Sequence, residues 1–324
     1  MPIISVENLT REFKVFNKEP GLKASIISLY RRPQRTVTAV DDLSFNIDKG
    51  ELVAFIGPNG AGKTTTLKCL SGLLYPSSGS INILGYKPSD RKPDYLSQIG
   101  FVMGQKNQLW WDIPPQETFL LHKAIYNISD SDYKKRLNYF VKLLDLKDII
   151  SVQTKKLSLG QRMKCEFVAA LLHQPKVLFL DEPTIGLDVV ANLKLRHFIK
   201  TINQDLKTTI ILTSHNMVDV AETCKRVLVI DKGKLFYDGS FSELLKKNAQ
   251  YKFLKFHFDS SYSLSQFKKF GEIVKSGPNS ITLKVPQNKH LKVASSILAS
   301  YSVSDLNIED THLEDVIAQI YTDR

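Results

Sequence analysis

Eight consecutive residues have the types and spacing of a loop that binds phosphate. They read G-x-x-x-x-G-K-T, directly after an apolar run and before a helix-forming run. Glycines let the backbone wind around a phosphate, with its N–H groups and the positive end of the helix facing the anion. Lys63 would reach the β- and γ-phosphates of a nucleotide, and the Thr64 hydroxyl would coordinate Mg²⁺. This phosphate loop and the threonine after it comprise Gly57, Pro58, Asn59, Gly60, Ala61, Gly62, Lys63, Thr64 and Thr65.

Two carboxylates, Asp181 and Glu182, follow the apolar run at residues 176–180. Such a pair at a strand end is usually the solvated start of a loop, but a phosphate loop in the same chain favours a chemical role. Asp181 fits the carboxylate on the metal side of a nucleotide site. Glu182, which points the other way along the strand, fits the base that orients the attacking water. The sequence therefore predicts a site that hydrolyses a nucleotide.

Strands must carry these groups to one edge of a sheet. Apolar runs bounded by turn residues predict strands at residues 51–56, 176–180, 209–213 and 226–230. Helix-like stretches lie between them, and this alternation indicates an α/β fold with a mostly parallel sheet covered on both faces. Residues 86–152 differ, because they contain no convincing buried strand after 99–103. We interpret them as a mainly helical insert.

The character of the chain changes after residue 240. We predict a nucleotide-binding domain at 1–240, a linker at 241–250 and a small α+β accessory domain at 251–324. Within the accessory domain the pattern predicts strands at 251–258, 272–275, 281–285 and 303–308, and helices at 263–270, 291–300 and 311–321. Thr311 and Glu314 have the spacing of a capping box for the last helix. A basic insert at 14–35 interrupts the first two strands.

Composition limits the class of protein. The chain has 324 residues, and 44 Lys+Arg against 33 Asp+Glu give 44 − 33 = +11. No apolar run approaches the roughly 18–20 residues of a membrane-spanning helix, and the N-terminus does not read as a signal peptide. Three widely separated cysteines suggest neither a zinc site nor a disulfide framework, which favours a reduced, cytoplasmic setting. The positive charge fits nucleic acid, an anionic membrane surface or a plain basic exterior.

A pentapeptide shortly before the acidic strand makes the interpretation specific. Residues 157–161 read Leu-Ser-Leu-Gly-Gln and precede a helix-forming run. Ser158, Gly160 and Gln161 thus stand at a helix N-terminus, where a hydroxyl and backbone N–H groups favour an anion. The pentapeptide resembles the signature motif of ATP-binding-cassette (ABC) ATPases, although alone it would be an ordinary helix cap.

Other residues follow the order of that family. Gln105 is similar to the Q-loop glutamine that contacts Mg²⁺, and Asp188 to the D-loop aspartate. His215, after the third predicted strand, resembles the switch histidine near the γ-phosphate. Phe13, with Val40 beyond the insert, resembles the aromatic group that stacks on adenine, and Phe16 is an alternative.

The resemblance implies a P-loop ATPase that uses ATP and Mg²⁺ and works as a dimer. Two cassettes would pack head to tail, so that the signature residues of one chain serve the nucleotide of its partner. The partner is a second copy or a related ATPase subunit. Closure on ATP and opening after hydrolysis would drive a change elsewhere.

Trp110 and Trp111 stand where the family docks a coupling helix of its membrane permease, although core positions are an alternative for them. With the C-terminal appendage, they resemble bacterial type-2 ABC exporters, whose ATPase lies on the inner face of the cell membrane. We expect ATP-driven export through separately encoded permeases, and no nucleic acid partner. Two alternatives stay open: a soluble ABC ATPase acting on nucleic acid or ribosomes, favoured by the charge, and an importer ATPase.

Overall fold

The computed structural model describes residues 2–16, 34–104, 106–248, 251–259 and 262–310. The chain divides into two compact units, which meet in sequence between Gly239 and Ser240. The first unit contains the phosphate loop and both carboxylates, and the second contains the predicted accessory domain. Gln105, most of the basic insert and residues 311–324, including the predicted last helix, lie outside the described residues.

A six-stranded sheet forms the centre of the first unit, in the order β5-β6-β7-β3-β8-β9. The pairs from β5 to β8 are parallel. Each apolar run of this unit that was predicted to be a strand forms a strand, and its ends differ from the predicted ends by at most one residue. The strands are β3 (Leu52–Ile56), β5 (Ile99–Met103), β6 (Val177–Asp181), β7 (Thr209–Ser214), β8 (Arg226–Asp231) and β9 (Lys234–Ser240).

A second, antiparallel sheet packs on the first through an apolar core. Its order is β2-β1-β4, with β1 (Ile4–Phe16), β2 (Gln34–Ile47) and β4 (Ser78–Ile83). The rings of Phe45 and Phe55 meet edge to face across this core, with centroids 5.3 Å apart. The described ends of the predicted basic insert belong to these strands, since Lys14 pairs with Thr36 and Val15 with Arg35.

Helices flank the central sheet and connect its parallel strands. They are α1 (Lys63–Leu70), α2 (Pro93–Leu96), α3 (Pro115–Ile125), α4 (Asp130–Leu144), α5 (Leu159–Leu171), α6 (Val189–Leu206) and α7 (Met217–Thr223). Helices α3 and α4 make the segment after β5 mainly helical. Helices α5 and α6 pack through Phe167 and Phe198, whose rings are 5.4 Å apart. None of the helices in the described part of the chain is both long and apolar enough to cross a membrane.

In the described residues, the second unit is an antiparallel four-stranded sheet with the helix at His290–Ser300 on its apolar face. The strand order is β11-β12-β10-β13. Leu254, Phe256, Leu283 and Val285 line the core, and Ile297 of the helix packs onto them. The elements are α8 (Phe241–Asn248), β10 (Tyr251–Phe258), β11 (Glu272–Ser276), β12 (Ser280–Pro286), α9 (His290–Ser300) and β13 (Val303–Asp310).

One detail of this unit differs from expectation. The helix predicted at 263–270 is wrong, because only a 3₁₀ turn at Leu264–Gln266 forms there. Phe267 is fully buried against the rings of Phe258 and Tyr301, at 5.2 and 4.7 Å. Packing of aromatic rings therefore overrides the helical spacing of the segment.

The three cysteines are buried and unpaired. Burial raises the pKa of the Cys69 thiol to about 11 and those of Cys165 and Cys224 to about 12. The thiolate, which is the reactive form, is therefore scarce at neutral pH.

Candidate functional site

Close backbone contacts hold the phosphate loop between β3 and α1. Gly62 has φ +103°, and a Cβ there would lie 2.3 Å from the carbonyl oxygen of Ala39. A Cβ on Gly57 would lie 2.1 Å from the carbonyl oxygen of Ile230. Only glycine fits these two positions, because any larger residue would displace backbone. The loop is therefore fixed from β2 on one side and from β8 on the other.

The start of α1 has the features of an anion site. Its N-cap is Gly62, and no side chain caps the helix, although the first N–H groups of a helix have no acceptor within it. Lys63 is 5% exposed, and its Nζ donates to the carbonyl oxygens of Gly57 at 2.7 Å and Pro58 at 3.0 Å. Burial lowers the pKa of Lys63, and the carboxylates of Glu182 and Asp181 oppose that shift. A phosphate group would satisfy both the N–H groups and the ammonium.

Hydroxyl groups converge on the Asp181 carboxylate at the end of β6. Thr64 Oγ1 donates to Asp181 Oδ1 at 2.9 Å, and Thr213 Oγ1 donates to the same oxygen at 2.7 Å. A hydroxyl and a carboxylate are ligands that Mg²⁺ accepts, so Thr64 and Asp181 fit a magnesium ion. When bound, the ion would neutralise charge on the phosphates of a nucleotide.

Glu182 and His215 form the second half of the candidate site. His215 Nδ1 lies 3.1 Å from Glu182 Oε2, and the side chains are 52% and 16% exposed. The Glu182 N–H donates to Thr213 Oγ1 at 2.9 Å, and its φ of +50° is unusual for a residue other than glycine. The Glu182 carboxylate is thus held at the sheet edge and is partly exposed, which would allow a water molecule to reach it.

Thr213 is the site residue that the sequence interpretation missed. Its hydroxyl accepts from the Glu182 N–H and donates to Asp181, and so it holds the Asp181 carboxylate and the backbone of Glu182. The register pairs Asp181 with Thr213 across parallel strands. A hydroxyl at the end of the apolar run next to the acidic strand was the available signal.

A buried polar network supports the residues that follow Glu182. Thr184 Oγ1 donates to Asp219 Oδ2 at 2.7 Å, and Arg196 Nη1 lies 3.6 Å from Asp219 Oδ1. This network connects the end of β6 to α6 and α7. It was not predicted, because an aspartate on a seven-residue helix carries no signal of its partners.

The signature residues begin α5. Ser158 Oγ accepts from the Gln161 N–H at 3.2 Å, and Gln161 Oε1 accepts from the Ser158 N–H at 2.9 Å. This is a capping box. A Cβ on Gly160 would lie 3.2 Å from Ala191 Cβ, and Asp188 caps α6 by accepting from the Ala191 N–H at 2.8 Å. Among the contacts of the described residues, none joins the signature residues to the phosphate loop of the same chain.

The candidates for adenine stacking are only partly described. Phe13 lies on β1 opposite Val37, and the Arg11 guanidinium covers one face of its ring at 4.6 Å. Val40 is fully buried and lies next to Gly62. The side chain of Phe16, the alternative, lies outside the described part, as does Gln105. All three adenine assignments and the Q-loop role of Gln105 stay predictions.

Trp110 and Trp111 lie at the surface, with exposed fractions of 60% and 46%. The core positions considered for them are therefore wrong. The Arg162 guanidinium covers the Trp111 ring at 5.5 Å, and Arg162 also faces the carboxylate of Glu166 on α5, with Nε 3.9 Å from Oε1. The Glu166 side chain is 1% exposed. Burial raises its pKa to about 7, against the opposing effects of the Gln108 N–H and Arg162.

Glu166→Gln is expected to change how stability depends on pH. The folded-state pKa of about 7 exceeds the ordinary value of 4.5. The contribution of Glu166 to stability is therefore fully present below pH 4.5 and is lost as the pH rises through about 7. Glutamine does not titrate, so the free energy of unfolding of Glu166→Gln relative to the wild type rises by about 2 kcal/mol between pH 5 and pH 8. Urea unfolding of both proteins at the two pH values measures this, and a difference independent of pH would contradict it.

The family models and the relatives that match this chain all describe ABC transporter proteins. A family model described as ABC transporter matches residues 40–185, and one described as EvrA-like ABC transporter, C-terminal domain, matches residues 250–309. The chain is 32% identical to the ABC transporter ATP-binding protein NatA of Bacillus subtilis, over 66% of this chain and 87% of NatA. It is 32% identical to the bacitracin transport ATP-binding protein BcrA of Bacillus licheniformis, over 66% of this chain and 68% of BcrA.

Longer relatives and solved structures extend the comparison. The chain spans 15% of the length of the cholesterol transporter ABCA5 of Rattus norvegicus, at 32% identity over 78% of this chain. The dimeric ATP-binding cassette MJ0796, solved in a post-hydrolysis state with ADP and Pi, has a TM-score of 0.60 at 23% identity. That match covers 73% of this chain and 98% of the cassette, and it is a likeness of fold.

Proposed function

This chain belongs to the ABC transporter family as an ATP-binding, ATP-hydrolysing subunit, and from that premise we propose that it energises export. The substrate would cross the membrane through separately encoded permeases. The chain would work on the cytoplasmic side of that membrane, with Mg²⁺ as the metal. The exposed Trp110–Trp111 pair carries the proposal, because it offers a docking surface on the segment that follows β5, the strand paired with β6.

The described geometry supports a division of work among the site residues. Lys63 and the N–H groups at the start of α1 bind the phosphates. Thr64 and Asp181 fit the metal, and Glu182 orients water and accepts its proton. His215 contacts Glu182 and stands beside the place of the terminal phosphate. The Thr213 hydroxyl positions both residues, because it donates to the Asp181 carboxylate and accepts from the Glu182 backbone N–H.

Dimerisation completes the site in this proposal. Ser158 and Gly160 make no described contact with the phosphate loop of their own chain, and a helix N-terminus of this kind suits an anion. The solved cassette MJ0796 is a dimer. We therefore assign Ser158, Gly160, Gln161 and Asp188 to the nucleotide bound mainly by a second copy or a related subunit.

Purification from membranes tests the transporter role. A tagged chain extracted from detergent-solubilised membranes should bring down polypeptides with several apolar runs of about 20 residues. Those permeases, reconstituted with the chain in liposomes, should move substrate away from the side that carries the ATPase. Recovery with ribosomes or DNA alone would contradict the proposal, and movement toward the ATPase would indicate an importer.

Trp110→Ala is expected to weaken association with the permease by about tenfold or more, as truncation of a central aromatic anchor does. Because Trp110 is 60% exposed, its removal should leave the fold and the ATPase rate of the isolated chain near the wild type. Binding of purified chain to permease-containing membranes measures the effect. Tyr75→Ala is the matched control, since Tyr75 is also exposed, at 55%, but lies before β4. Equal binding by the two variants would contradict a docking role for Trp110.

A further inference from the structure

The segment from Gln108 to Asp112, here called the tryptophan segment, combines one buried anchor with an exposed surface. Leu109 is 4% exposed, whereas both tryptophans are open to solvent. The segment comes shortly after Gly104, whose backbone N–H donates to the Asp181 carbonyl oxygen at 2.9 Å. It therefore leads from the hydrolytic edge of the sheet to the surface.

Glu166 contacts the start of this segment from inside the protein. Its Oε1 accepts from the Gln108 N–H at 3.4 Å. Its Oε2 has no hydrogen-bond partner among the described residues. Arg162, one turn earlier on α5, is a cation near the carboxylate, and its guanidinium also covers the Trp111 ring. Through these two side chains, α5 reaches both ends of the Gln108–Trp111 stretch.

The buried charge has no evident benefit for stability. The neighbours of Glu166 along α5, Cys165, Phe167 and Val168, are apolar and fully buried. A carboxylate in that setting loses its hydration, and a single cation at 3.9 Å does not fully compensate for that loss. An apolar residue of similar volume would suit the core better. The specific gain that offsets this cost is the contact that Glu166 makes with the tryptophan segment.

The other end of the tryptophan segment is tied to the residues that lead into α5. Lys155 N–H donates to the Trp111 carbonyl oxygen at 3.0 Å, and Lys155 Nζ pairs with Asp112 at 2.9 Å. Thr154 Oγ1 donates to the Ile113 carbonyl oxygen at 2.8 Å. Residues 154–166 thus hold the segment at both ends, and the signature residues lie within this same stretch.

We propose that Glu166 is a positioning residue whose buried carboxylate holds the tryptophan segment against α5, so that the segment and the signature residues move as one body. The inference rests on the proposed function in one respect, namely that the tryptophans dock the permease. A displacement of Ser158 and Gly160 toward a partner's nucleotide would then shift Trp110 and Trp111 with it. Without the carboxylate, the helix could move while the segment lagged behind.

Intrinsic fluorescence tests this, because Trp110 and Trp111 are the chain's 2 tryptophans. The variants are Glu166→Leu, which removes the acceptor, and Glu166→Gln, which keeps an acceptor but removes the charge. Loss of the hydrogen bond from the Gln108 N–H, at 3.4 Å, shifts the balance between attached and detached segment by about two- to tenfold. Acrylamide quenching of the purified chain should therefore increase in Glu166→Leu and, to a smaller extent, in Glu166→Gln.

Asp112→Asn is the matched control. It removes a carboxylate from the same segment, but one that is 78% exposed, and an exposed ion pair contributes little. Its quenching should equal that of the wild type.

Melting temperatures of the Glu166 variants should not fall. A fall that parallels the change in quenching would mean general loosening and would overturn the positioning role.

The response to nucleotide provides the second readout. Addition of ATP and Mg²⁺ should shift the tryptophan emission of the wild type and of Asp112→Asn, and the shift should be lost in Glu166→Leu while a fluorescent ATP analogue still binds. Unchanged quenching and an unchanged shift in both Glu166 variants would overturn the inference. These measurements use the isolated chain, so a failure of permease docking, which concerns the proposed function, would be seen separately.

Discussion

Glu182→Gln is expected to lower steady-state ATP turnover by about 100-fold or more, while ATP binding persists. The substitution keeps the size of the side chain and a donor or acceptor for His215, which lies 3.1 Å from the native carboxylate. The backbone contacts of residue 182 with Thr213 are also unaffected. What is lost is the ability to accept a proton from water. Because binding to Lys63 and the phosphate loop does not need that step, the variant should accumulate bound ATP.

Phosphate release and binding of a fluorescent ATP analogue separate the two effects. Glu222→Gln is the control, because Glu222 pairs with Arg196 at 2.9 Å and is 53% exposed, away from the phosphate loop. It removes the same charge from the same unit and should retain turnover near the wild type. Near-normal turnover in Glu182→Gln would show that another group acts as the base.

The second large effect is expected for Gly62→Ala, which should abolish measurable ATP binding. A Cβ at this position would lie 2.3 Å from the Ala39 carbonyl oxygen, and φ is +103°. Because the obstacle is backbone of β2, relief requires a shift of the loop or of the strand. Either shift moves the Lys63 ammonium and the N–H groups of α1 away from the phosphates.

Gly60→Ala in the same loop provides a matched comparison. Gly60 also has a positive φ, +83°, but a Cβ there would meet no atom within 4 Å beyond its own chain neighbours. The substitution Gly60→Ala therefore introduces only conformational strain at a positive φ, about 1–2 kcal/mol. Equilibrium binding of ATP should therefore fall much less in Gly60→Ala than in Gly62→Ala. Equal losses in the two variants would show that the approach of Ala39 is not the cause.

The sequence was sufficient for the parts of the fold that depend on local patterns. The parallel strands and the strand–loop–helix around Lys63 follow from apolar runs and glycine spacing. The pairing of Asp181 with Thr213 was not accessible, since the register between strands depends on contacts distant in sequence. The same limitation applies to Glu166, whose position in an apolar helix does not reveal the Gln108 N–H that it meets.

The second unit shows where local pattern misleads. The spacing around Phe267 is typical of a helix, but Phe267 packs among four aromatic rings at the end of a 3₁₀ turn. Ring packing is a tertiary effect that periodicity does not contain. The surface position of Trp110, by contrast, agrees with its sequence neighbours, because Asn107, Gln108 and Asp112 are residue types that are mostly exposed.

The buried cysteines make the native chain a convenient background for site-directed labelling. Cys69, Cys165 and Cys224 are at most 4% exposed, and burial raises the pKa of each thiol far above neutral. Maleimide reagents attack the thiolate, so a new cysteine at an exposed position would react first, without prior removal of the native three. Pairs of spin labels or fluorophores introduced in this way would give distances between copies of the chain before and after ATP is added.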